Sequence, residues 1–478
     1  MRQTLRPYQR AAIEQLREKM ACGLRRLLLV IPTGGGKTTV AAEMIHGAVA
    51  RQRRVLFLAH RKELIDQASA RLDQFAVPHG VIMAGHRRHN PLHPVQVASV
   101  QTLVRRRKPD ADLVIVDEAH HARATTYQKI LDHYPRAPVI GLTATPWRTD
   151  GKGLGELFED LVAPVGIREL TEQGFLVPVT GFAYDSPDLR QVRTRGGDFE
   201  RKGLELAMGS RVIAGHIVER YLEHRGKRAV LFAATVKHSL DLVERFRAAG
   251  VRAEHLDGET EKDTREAILA RLASGETEVV SNVGVLTEGW DCPAVEICIL
   301  ARPTQSVALY LQMVGRVLRP APGKTVARIH DHAGAVLMHG LPGMERDISL
   351  TADVSVKAKG EREVAPLKQC LSCYAIYEAR SRSCPMCGWE PEAPTLREVT
   401  SDLREISLDA LSGDSTLQTL QAAIEQAAAK RVSRAEAKDE YIRLARLARE
   451  RGWKPKAAAV RFKSRFGFWP PRAWEQYV

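Results

Sequence analysis

The feature that most constrains this chain is a glycine-rich loop, Ile-Pro-Thr-Gly-Gly-Gly-Lys-Thr, at residues 31–38. An apolar, strand-like run (Arg26–Ile31) precedes the loop and a helical pattern (Thr38–Ala50) follows it. A strand, a glycine loop and a helix in this order aim successive backbone N–H groups and a helix N-terminus at one point. Because such a point binds phosphate groups, the loop predicts a nucleotide site in an α/β domain.

Two side chains of the loop carry the predicted phosphate chemistry. Lys37 can reach the β- and γ-phosphates of ATP, and the Thr38 hydroxyl can bind Mg²⁺. Ile31 stands where the common pattern has its first glycine. We therefore expect three consecutive glycines to shape the loop instead: Gly34, Gly35 and Gly36.

A second motif, Asp117-Glu118-Ala119-His120, follows the apolar run Leu113–Val116. It offers Asp117 to the metal ion and Glu118 to the attacking water. Taken alone, a glycine cluster is often only a tight turn, and a carboxylate pair after a strand is usually a solvated turn. The two motifs in this order and context favour nucleotide hydrolysis.

Composition bounds the class of protein. A chain of 478 residues exceeds one hydrophobic core and predicts several domains. The net charge of +14 favours an anionic partner. No apolar run approaches the roughly 20 residues that cross a bilayer, and the first residues lack the apolar core of a signal peptide. We therefore expect a cytoplasmic protein with no membrane partner.

Apolar β-branched runs alternate with helical patterns twice along the chain. Such alternation builds parallel sheets that are covered on both faces, with ligands at the carboxyl ends of the strands. The sequence therefore predicts an α/β fold with two tandem domains. The predicted strands are Arg26–Ile31, Arg54–Ala59, Val95–Ser99, Leu113–Val116 and Val139–Leu142 in the first domain, and Ala229–Ala233, Val251–His255, Glu278–Ser281, Val295–Leu300 and Val326–His330 in the second.

Changes in composition suggest the domain boundaries. We expect a first domain over residues 1–170, a connector or insertion over 171–210, a second domain over 211–350, a cysteine module over 365–392, a linker over 393–430 and a basic, aromatic, helical tail over 431–478.

The cysteines are spaced for a metal ion. With seven cysteines and no secretion signal, a disulfide framework is not expected. Two C-x₂-C pairs ten residues apart suit one tetrahedral Zn²⁺, and a site closed by four thiolates is structural rather than catalytic. The predicted ligands are Cys370, Cys373, Cys384 and Cys387, whereas we interpret Cys22, Cys292 and Cys298 as ordinary small residues.

Further motifs make residues 5–334 resemble the superfamily 2 helicases, whose core consists of two RecA-like domains. In the first domain these motifs are Leu5–Gln9, Ala59–Arg61, Val97–Leu103 and Gly141–Pro146. The resemblance implies that Gln9 recognises the adenine edge. It implies contact with a nucleic-acid backbone by Arg61, Gln101 and Thr102. It also implies that hydrolysis is coupled to movement by His120, Thr143 and Thr145.

In the second domain the resemblance rests on Ala229–Thr235 with His238, Asn282–Asp291 and Gln312–Arg319. It implies that Thr287 contacts backbone phosphate and that Gly289 and Asp291 lie near the nucleotide. It also implies that Arg316 and Arg319 are arginine fingers. A guanidinium aimed at the γ-phosphoryl oxygens contributes about 10³–10⁵ in rate. Because these arginines belong to the second domain, hydrolysis would depend on domain closure.

The order of a helicase core, a Cys₄ module and a basic tail is similar to the bacterial RadD family of DNA-repair ATPases. The phosphate motifs predict ATP and Mg²⁺ as cofactors, and the cysteine spacing predicts structural Zn²⁺. The resemblance to the RadD family implies DNA, single-strand-binding protein and recombination proteins as partners. The tail interleaves basic and aromatic residues over 461–470, which fits either a docking role or a structural cap with a solvated basic face.

We thus expect an ATP-dependent nucleic-acid motor that acts on DNA in repair or recombination. Two alternatives stay open. One is an ATP-switched DNA-binding adapter that recruits partner proteins. The other is the motor subunit of a restriction system, which would need a separate nuclease or methyltransferase because we find no nuclease motif in this sequence.

Overall fold

The computed structural model describes residues 4–351 except 123, 149, 185–186, 188, 190–191, 196 and 209–210, together with residues 367–390, 441–446, 449 and 458. The chain divides into two compact units, residues 1–392 and 393–478. In the second unit, residues 441–446 are helical. The expected linker, most of the expected tail and the outer residues of the expected cysteine module lie outside the described residues.

The first sheet has seven parallel strands in the order β3-β4-β2-β5-β6-β1-β7. Its central strands are apolar and buried along nearly their whole length because helices cover both faces. The strands are β1 (Arg26–Val30), β2 (Val55–Ala59), β3 (His79–Ile82), β4 (Val95–Ser99), β5 (Leu113–Val116), β6 (Val139–Thr143) and β7 (Asp160–Val162).

The second sheet has six parallel strands in the order β12-β13-β11-β14-β15-β8. Its strands are β8 (Val179–Ala183), β11 (Ala229–Ala233), β12 (Ala253–Leu256), β13 (Val279–Asn282), β14 (Ile297–Ala301) and β15 (Ala327–Asp331). Two short antiparallel ladders complete the strands: β9 (Thr194–Arg195) with β10 (Asp198–Phe199), and β16 (Leu367–Gln369) with β17 (Ile376–Glu378).

Helices connect and cover these strands. In the first domain they are α1 (Pro7–Ala21), α2 (Lys37–Val49), α3 (Lys62–Gln74), α4 (Val100–Leu103), α5 (Thr125–Leu131) and α6 (Ile167–Glu172). The others are α7 (Arg201–Met208), α8 (Arg211–Leu222), α9 (Val236–Ala248), α10 (Lys262–Ser274), α11 (Val307–Gly315) and α12 (Ala335–His339). Among the described residues, none of these helices is long and apolar enough to span a membrane.

The predicted α/β fold with two parallel sheets is confirmed, and each of the ten predicted strands is present within a few residues of its expected bounds. Three further strands, β3, β7 and β8, escaped the sequence analysis because they are short or contain polar and glycine residues. Strand β8 comes from the segment 171–210, which we expected to be a connector, and it forms an edge of the second sheet. The expected domain boundaries stay a proposal.

The cysteine module is attached to this edge strand. Ala183 donates its backbone N–H to the Tyr374 carbonyl at 3.1 Å, and its own carbonyl accepts from Gln369 Nε2 at 2.6 Å. Phe182 and Tyr184 share a small apolar cluster with the module. The module therefore packs against the second sheet rather than forming an isolated knuckle.

The four predicted metal ligands converge in this module. The Sγ atoms of Cys370 and Cys387 are 3.6 Å apart, those of Cys373 and Cys384 are 3.7 Å apart, and all four lie within 4.8 Å of one another. Thiolates about 2.3 Å from a tetrahedral Zn²⁺ would be about 3.8 Å from each other. The residues therefore fit a structural zinc ion.

We expect Cys384→Ser to remove one zinc ion per chain and to unfold residues 367–390. The physical reason is that zinc binding supplies about 10–16 kcal/mol of the folding free energy of such modules. Zinc content by mass spectrometry and limited proteolysis of the module measure the two effects. Cys22→Ser is the matched control because Cys22 is exposed and lies outside the cluster. Retention of one zinc ion by Cys384→Ser would contradict the assignment.

His238 makes the second domain sensitive to acid. Its ring is buried at the start of α9, and neither ring nitrogen has a hydrogen-bond partner among the described residues. Burial lowers the pKa of His238 to about 4, although Asp241 opposes this shift. The unfolded chain therefore binds a proton more readily than the folded one, and stability is lost as the pH falls from about 6.5 to about 4.

We expect His238→Leu to flatten the pH dependence of thermal unfolding between pH 6.5 and 4, by up to about 3 kcal/mol at the acidic end. Midpoints measured across this pH range test the expectation. His89→Leu serves as the control because His89 is exposed. The same slope in His238→Leu as in the unsubstituted chain would refute it.

Candidate active site

The glycine-rich loop lies at the carboxyl end of β1, where its last residues begin α2. Gly34 and Gly36 have φ of 86° and 85°, and Gly36 is the N-cap of the helix. These left-handed conformations favour glycine, so both positions are constrained by the backbone. The loop thus has the geometry that aims backbone N–H groups at a phosphate.

Residues near the N-terminus hold the loop in place. The Tyr8 hydroxyl donates to the Gly35 carbonyl at 2.7 Å, and Gln9 Nε2 donates to the same carbonyl at 3.1 Å. Gln9 Oε1 accepts from the Arg6 N–H at 3.0 Å, as in a helix capping box. The structure therefore places Gln9 directly on the loop, and its predicted contact with adenine stays a prediction.

Asp117 and Glu118 are buried, and the half-buried Lys37 interacts electrostatically with both carboxylates. Burial lowers the pKa of Lys37, while Glu118 and Asp117 act in the opposite direction. Burial and the neighbouring Glu118 raise the pKa of Asp117 to about 7. Glu118 has a φ of 47°, and its Oε2 has no hydrogen-bond partner among the described residues.

This cluster suits a magnesium ion and a phosphate chain. Two adjacent buried carboxylates repel each other as anions, so a divalent cation would stabilise them both. Asp117 would hold Mg²⁺ together with Thr38, which lies at the start of α2. A left-handed residue that is not glycine stores backbone strain, and such strain is common at functional sites. The residues present therefore fit the predicted Mg²⁺ and ATP.

The second domain packs against this loop through the C-terminal end of α11. A Cβ atom at Gly315 would lie 2.8 Å from Thr33 Cβ, and one at Gly34 would lie 3.2 Å from Arg319 Cγ. A side chain at either glycine would therefore crowd the contact between the two domains. The predicted arginine fingers are thus brought to the predicted phosphate site.

The two arginines are held by the segment 289–291. Arg316 donates to the Trp290 carbonyl at 2.6 Å and to the Gln312 carbonyl at 3.3 Å. Arg319 forms an ion pair with Asp291, and burial lowers the pKa of Arg319 to about 10. Both guanidinium groups stay charged at neutral pH. The structure therefore assigns Asp291 a direct partner that the sequence did not indicate.

Gly289 meets the first domain on α3. It has a φ of 72°, and Gln67 Nε2 donates to its carbonyl at 2.5 Å. A Cβ atom at Gly289 would lie 3.2 Å from Glu63 Cβ, so a larger residue would crowd the contact. Gly289 is therefore a packing point between the domains, and its predicted proximity to the nucleotide stays a prediction.

The predicted coupling residues form one connected group. The Thr143 hydroxyl donates to the Thr145 carbonyl at 2.7 Å, and His120 Nδ1 lies 3.4 Å from Thr143 Oγ1. The same nitrogen lies 3.4 Å from Glu118 Oε2. On its other side, His120 Nε2 lies 3.3 Å from Gln312 of α11. His120 therefore touches the carboxylate of Glu118, the end of β6 and the second domain.

Glu288 is the centre of a cluster that spans both domains. Its carboxylate is buried and lies 3.1 Å from His60 Nε2 and 3.3 Å from the Nε2 atoms of His120 and His121. Arg61 Nε lies 3.4 Å from the same carboxylate. Except for Glu288, all these groups belong to the first domain.

The charges in this cluster depend on one another. Burial alone would raise the pKa of Glu288, but hydrogen bonds with His120, His121 and His60 outweigh it and hold that pKa well below its usual range. Burial disfavours the protonated form of His120, yet Glu288 and Glu118 raise its pKa. Burial lowers the pKa of His121. Glu288 is thus an anion that the second domain supplies to the first.

The four residues predicted to contact nucleic acid do not form a single patch. Gln101 donates to the His60 carbonyl at 2.8 Å, and Thr102 follows it on α4. Arg61 donates to the Val285 carbonyl at 3.2 Å, while Thr287 is buried beside Glu288. Arg61 thus belongs to the Glu288 cluster, Gln101 borders it through His60, and Thr287 precedes Glu288 in the chain.

His60 and Glu288 lie within two of the predicted motifs, but no role was predicted for them, and His121 lies just beyond the motif Asp117–His120. No spacing rule could have joined them, because they come from three segments that only the folded chain brings together. Tyr8, whose hydroxyl bonds to the glycine loop, lies within the motif Leu5–Gln9, but no role was predicted for it.

Two family profiles match the chain. The profile of the type III restriction enzyme res subunit matches residues 2–148, and the profile of the helicase conserved C-terminal domain matches residues 213–321. The first span contains the glycine loop and the Asp117–Glu118 pair, and the second contains Glu288 and both arginines.

Individual proteins are also similar. A 51.5 kDa protein of Lactococcus phage (isolate 7-9) is 35% identical over 75% of this chain and 76% of its own length. A Saccharomyces cerevisiae protein provisionally named ATP-dependent helicase IRC3 is 33% identical over 69% of this chain, which spans 52% of that protein. The DNA 3'-5' translocase XPB2 of Sulfurisphaera tokodaii is 26% identical over 66% of this chain and 78% of its own length.

A solved structure shares the fold. It is a fragment assigned to the HsdR subunit of a type I restriction enzyme from Vibrio vulnificus YJ016, with a TM-score of 0.58 and 22% identity over 72% of this chain and 67% of that chain. Together with the two profiles and the phage relative, the composite site shows that this chain belongs to the superfamily 2 helicases, which are ATP-dependent enzymes.

Proposed function

We propose that the protein is an ATP-driven motor that moves on DNA in repair or recombination. The observation that carries the proposal is the composite site, in which Gly315 and Arg319 of the second domain lie against the glycine loop and Glu288 contacts His120, next to the Asp117–Glu118 pair of the first. Hydrolysis at such a site requires both domains to be in contact. Each turnover would therefore open and close the cleft between the domains.

Each residue has a proposed task in that cycle. The loop glycines and Lys37 bind the phosphates, and Thr38 and Asp117 hold Mg²⁺, which supplies charge neutralisation when it is bound. Glu118 orients the attacking water and accepts its proton. Arg316 and Arg319 stabilise the charge that develops on the transferred phosphoryl group.

We propose DNA as the track because of the proteins to which this chain is similar. The name of the archaeal relative describes a DNA translocase, and the profile matching residues 2–148 comes from a restriction enzyme subunit. Within the superfamily we favour the RadD type, because a Cys₄ module follows the helicase core. Single-strand-binding protein and recombination proteins are the proposed partners that follow from that type.

The second candidate is the motor subunit of a restriction system. The res-subunit profile favours it, and it would act only with a nuclease or methyltransferase partner. ATP hydrolysis on DNA that lacks a recognition sequence distinguishes the two candidates. We expect the repair motor to be active on such DNA and the restriction motor to be inactive.

We expect ATP turnover by the zinc-loaded protein to rise at least tenfold on adding single-stranded, duplex or forked DNA, and to rise less on adding matched RNA. Steady-state phosphate release measures this rate. Lys37→Ala should abolish turnover, and Glu118→Gln should bind ATP but lose about 10²–10⁴ in rate because it lacks the proton acceptor. Near-normal turnover in either variant would overturn the assignment. ATP turnover that none of these nucleic acids stimulates would favour the alternative of an ATP-switched DNA-binding adapter.

Glu288 should couple the two domains during this cycle. We expect Glu288→Gln to lower track-stimulated turnover by about tenfold or more, because a buried hydrogen bond to a charged group contributes about 1.5–3 kcal/mol and 1.4 kcal/mol is a factor of ten. The amide keeps the shape of the side chain but not its charge. The ratio of stimulated to unstimulated rates measures the coupling.

Glu63→Gln is the control for Glu288→Gln. Glu63 forms a half-exposed ion pair with Arg265 across the same domain boundary, at 3.3 Å. Exposed pairs contribute little, so its removal should change the ratio less than twofold. Equal effects of the two substitutions would show that Glu288 has no special role.

A further inference from the structure

A second group of metal-ligating side chains lies where the two domains meet. Among the described residues, the ligand atoms of His60, His121 and Glu288 lie within 4.8 Å of one another. His60 follows β2 and His121 ends a short 3₁₀ helix after β5, both in the first domain, whereas Glu288 comes from the second. The group is therefore complete only when the two domains are in contact.

The ligand atoms have the spacing that one tetrahedral ion requires. Glu288 Oε2 lies 3.1 Å from His60 Nε2, and Glu288 Oε1 lies 3.3 Å from His121 Nε2. Ligands about 2.1 Å from a tetrahedral ion would lie about 3.4 Å from each other. The rings of His60 and His121 meet edge to face with centroids 4.4 Å apart, and both present Nε2 to the carboxylate. An ion can thus replace the two hydrogen bonds with little movement of the side chains.

Two imidazoles and one carboxylate favour zinc or a related transition-metal ion over magnesium. Imidazole suits Zn²⁺, Cu²⁺ and Ni²⁺, whereas Mg²⁺ prefers oxygen ligands in an octahedral arrangement. Sites with two histidines and one glutamate hold Zn²⁺ and leave a fourth position to water. The side chain of His121 is 40% exposed, so both the ion and this water can reach the group. The group thus differs in its chemistry from the expected magnesium site at Asp117.

Two neighbours limit how an ion can bind. His120 Nε2 also lies 3.3 Å from Glu288, but the nitrogens of this ring contact Glu118 and Gln312 as well. The other two histidines are therefore the better ligands. Arg61 Nε lies 3.4 Å from Glu288 Oε2, and its positive charge repels a cation. This repulsion weakens metal binding.

The surroundings of the ligands weaken binding further. His60 Nδ1 is buried and has no hydrogen-bond partner among the described residues. A ligating histidine usually donates its second N–H to a carboxylate or a carbonyl, and loss of such a partner costs about 10–100-fold in metal affinity. We therefore expect an ion in this group to exchange with the solution, unlike a zinc ion closed in by four cysteines.

We propose that His60, His121 and Glu288 form an exchangeable Zn²⁺ site that clamps the two domains in their closed arrangement. An ion that binds only the closed state raises its population relative to the open state by the factor 1 + [Zn²⁺]/Kd, which is about elevenfold at ten times Kd. ATP turnover slows because the domains open less often. The binding site is independent of the proposed motor function, and only the slower turnover rests on it.

The test counts zinc ions in the full-length protein by mass spectrometry after equilibrium dialysis against buffered free Zn²⁺. We expect one more ion per chain in the unsubstituted protein than in His121→Ala or Glu288→Gln, because each variant lacks one ligand. All three proteins keep the four cysteines, so the difference does not depend on the cysteine module. Equal zinc content in all three would overturn the proposal. Loss of the ion in His121→Ala but not in Glu288→Gln would also overturn it, because the site would then not join the domains.

His89→Ala is the matched control, because His89 is exposed and lies outside the group. It should bind as many zinc ions as the unsubstituted protein. Free Zn²⁺ should raise the midpoint of thermal unfolding in both of these proteins but not in His121→Ala, since only a bound ion stabilises the folded chain. A loss of zinc in His89→Ala equal to that in His121→Ala would contradict the assigned ligands.

ATP turnover in excess Mg²⁺ tests the clamp itself. Relative to each protein's own rate without Zn²⁺, saturating Zn²⁺ should slow the unsubstituted protein by about fivefold or more and His121→Ala by less than twofold. Equal slowing of both would place the inhibition at another site and overturn the clamp. If none of the proteins hydrolyses ATP while the zinc counts differ as expected, the proposed function fails and the metal site stands.

Discussion

The active site depends on a buried carboxylate that finds its counter-charges on another domain. Glu288 belongs to the second domain, and the imidazoles and the guanidinium around it belong to the first. An isolated buried anion costs several kcal/mol, so this side chain favours the closed arrangement over an open one in which it stays buried without partners. The electrostatic contacts of Glu288 therefore favour the arrangement in which the two domains are closed.

The Glu288 cluster lies next to the residues proposed for ATP hydrolysis, for coupling and for nucleic-acid binding. His120 bridges Glu288 to the Glu118 carboxylate and lies within 3.4 Å of Thr143. Arg61 contacts the opposite side of Glu288, where a nucleic-acid backbone is proposed to bind. A phosphate that attracted Arg61 would change the charge balance around Glu288 and hence around His120. Hydrolysis and the proposed track binding would thus be connected through adjacent side chains.

Much of this architecture could be predicted from sequence because local physics determines it. Buried parallel strands are continuous apolar runs, so β1, β2 and β5 were recognisable, and a glycine loop after such a run has few structural meanings. Strand β8 was not recognisable, since it pairs with β15 about 150 residues later and its own pattern is weak. The Glu288 cluster was hidden for the same reason: its members become neighbours only in the folded chain.

The two edges of the first sheet differ in a way that the sequence did not indicate. At the carboxyl edge Lys37 interacts with two carboxylates, those of Asp117 and Glu118, so one cation faces two acidic groups and a magnesium ion would offset the remaining negative charge. At the amino edge five arginines and one carboxylate, Asp112, line a pocket whose apolar residues Leu16 and Ile140 are fully buried. Excess positive charge at this edge attracts anions, whereas the carboxyl edge attracts a cation together with its phosphates. The two edges of one sheet therefore present opposite electrostatic environments.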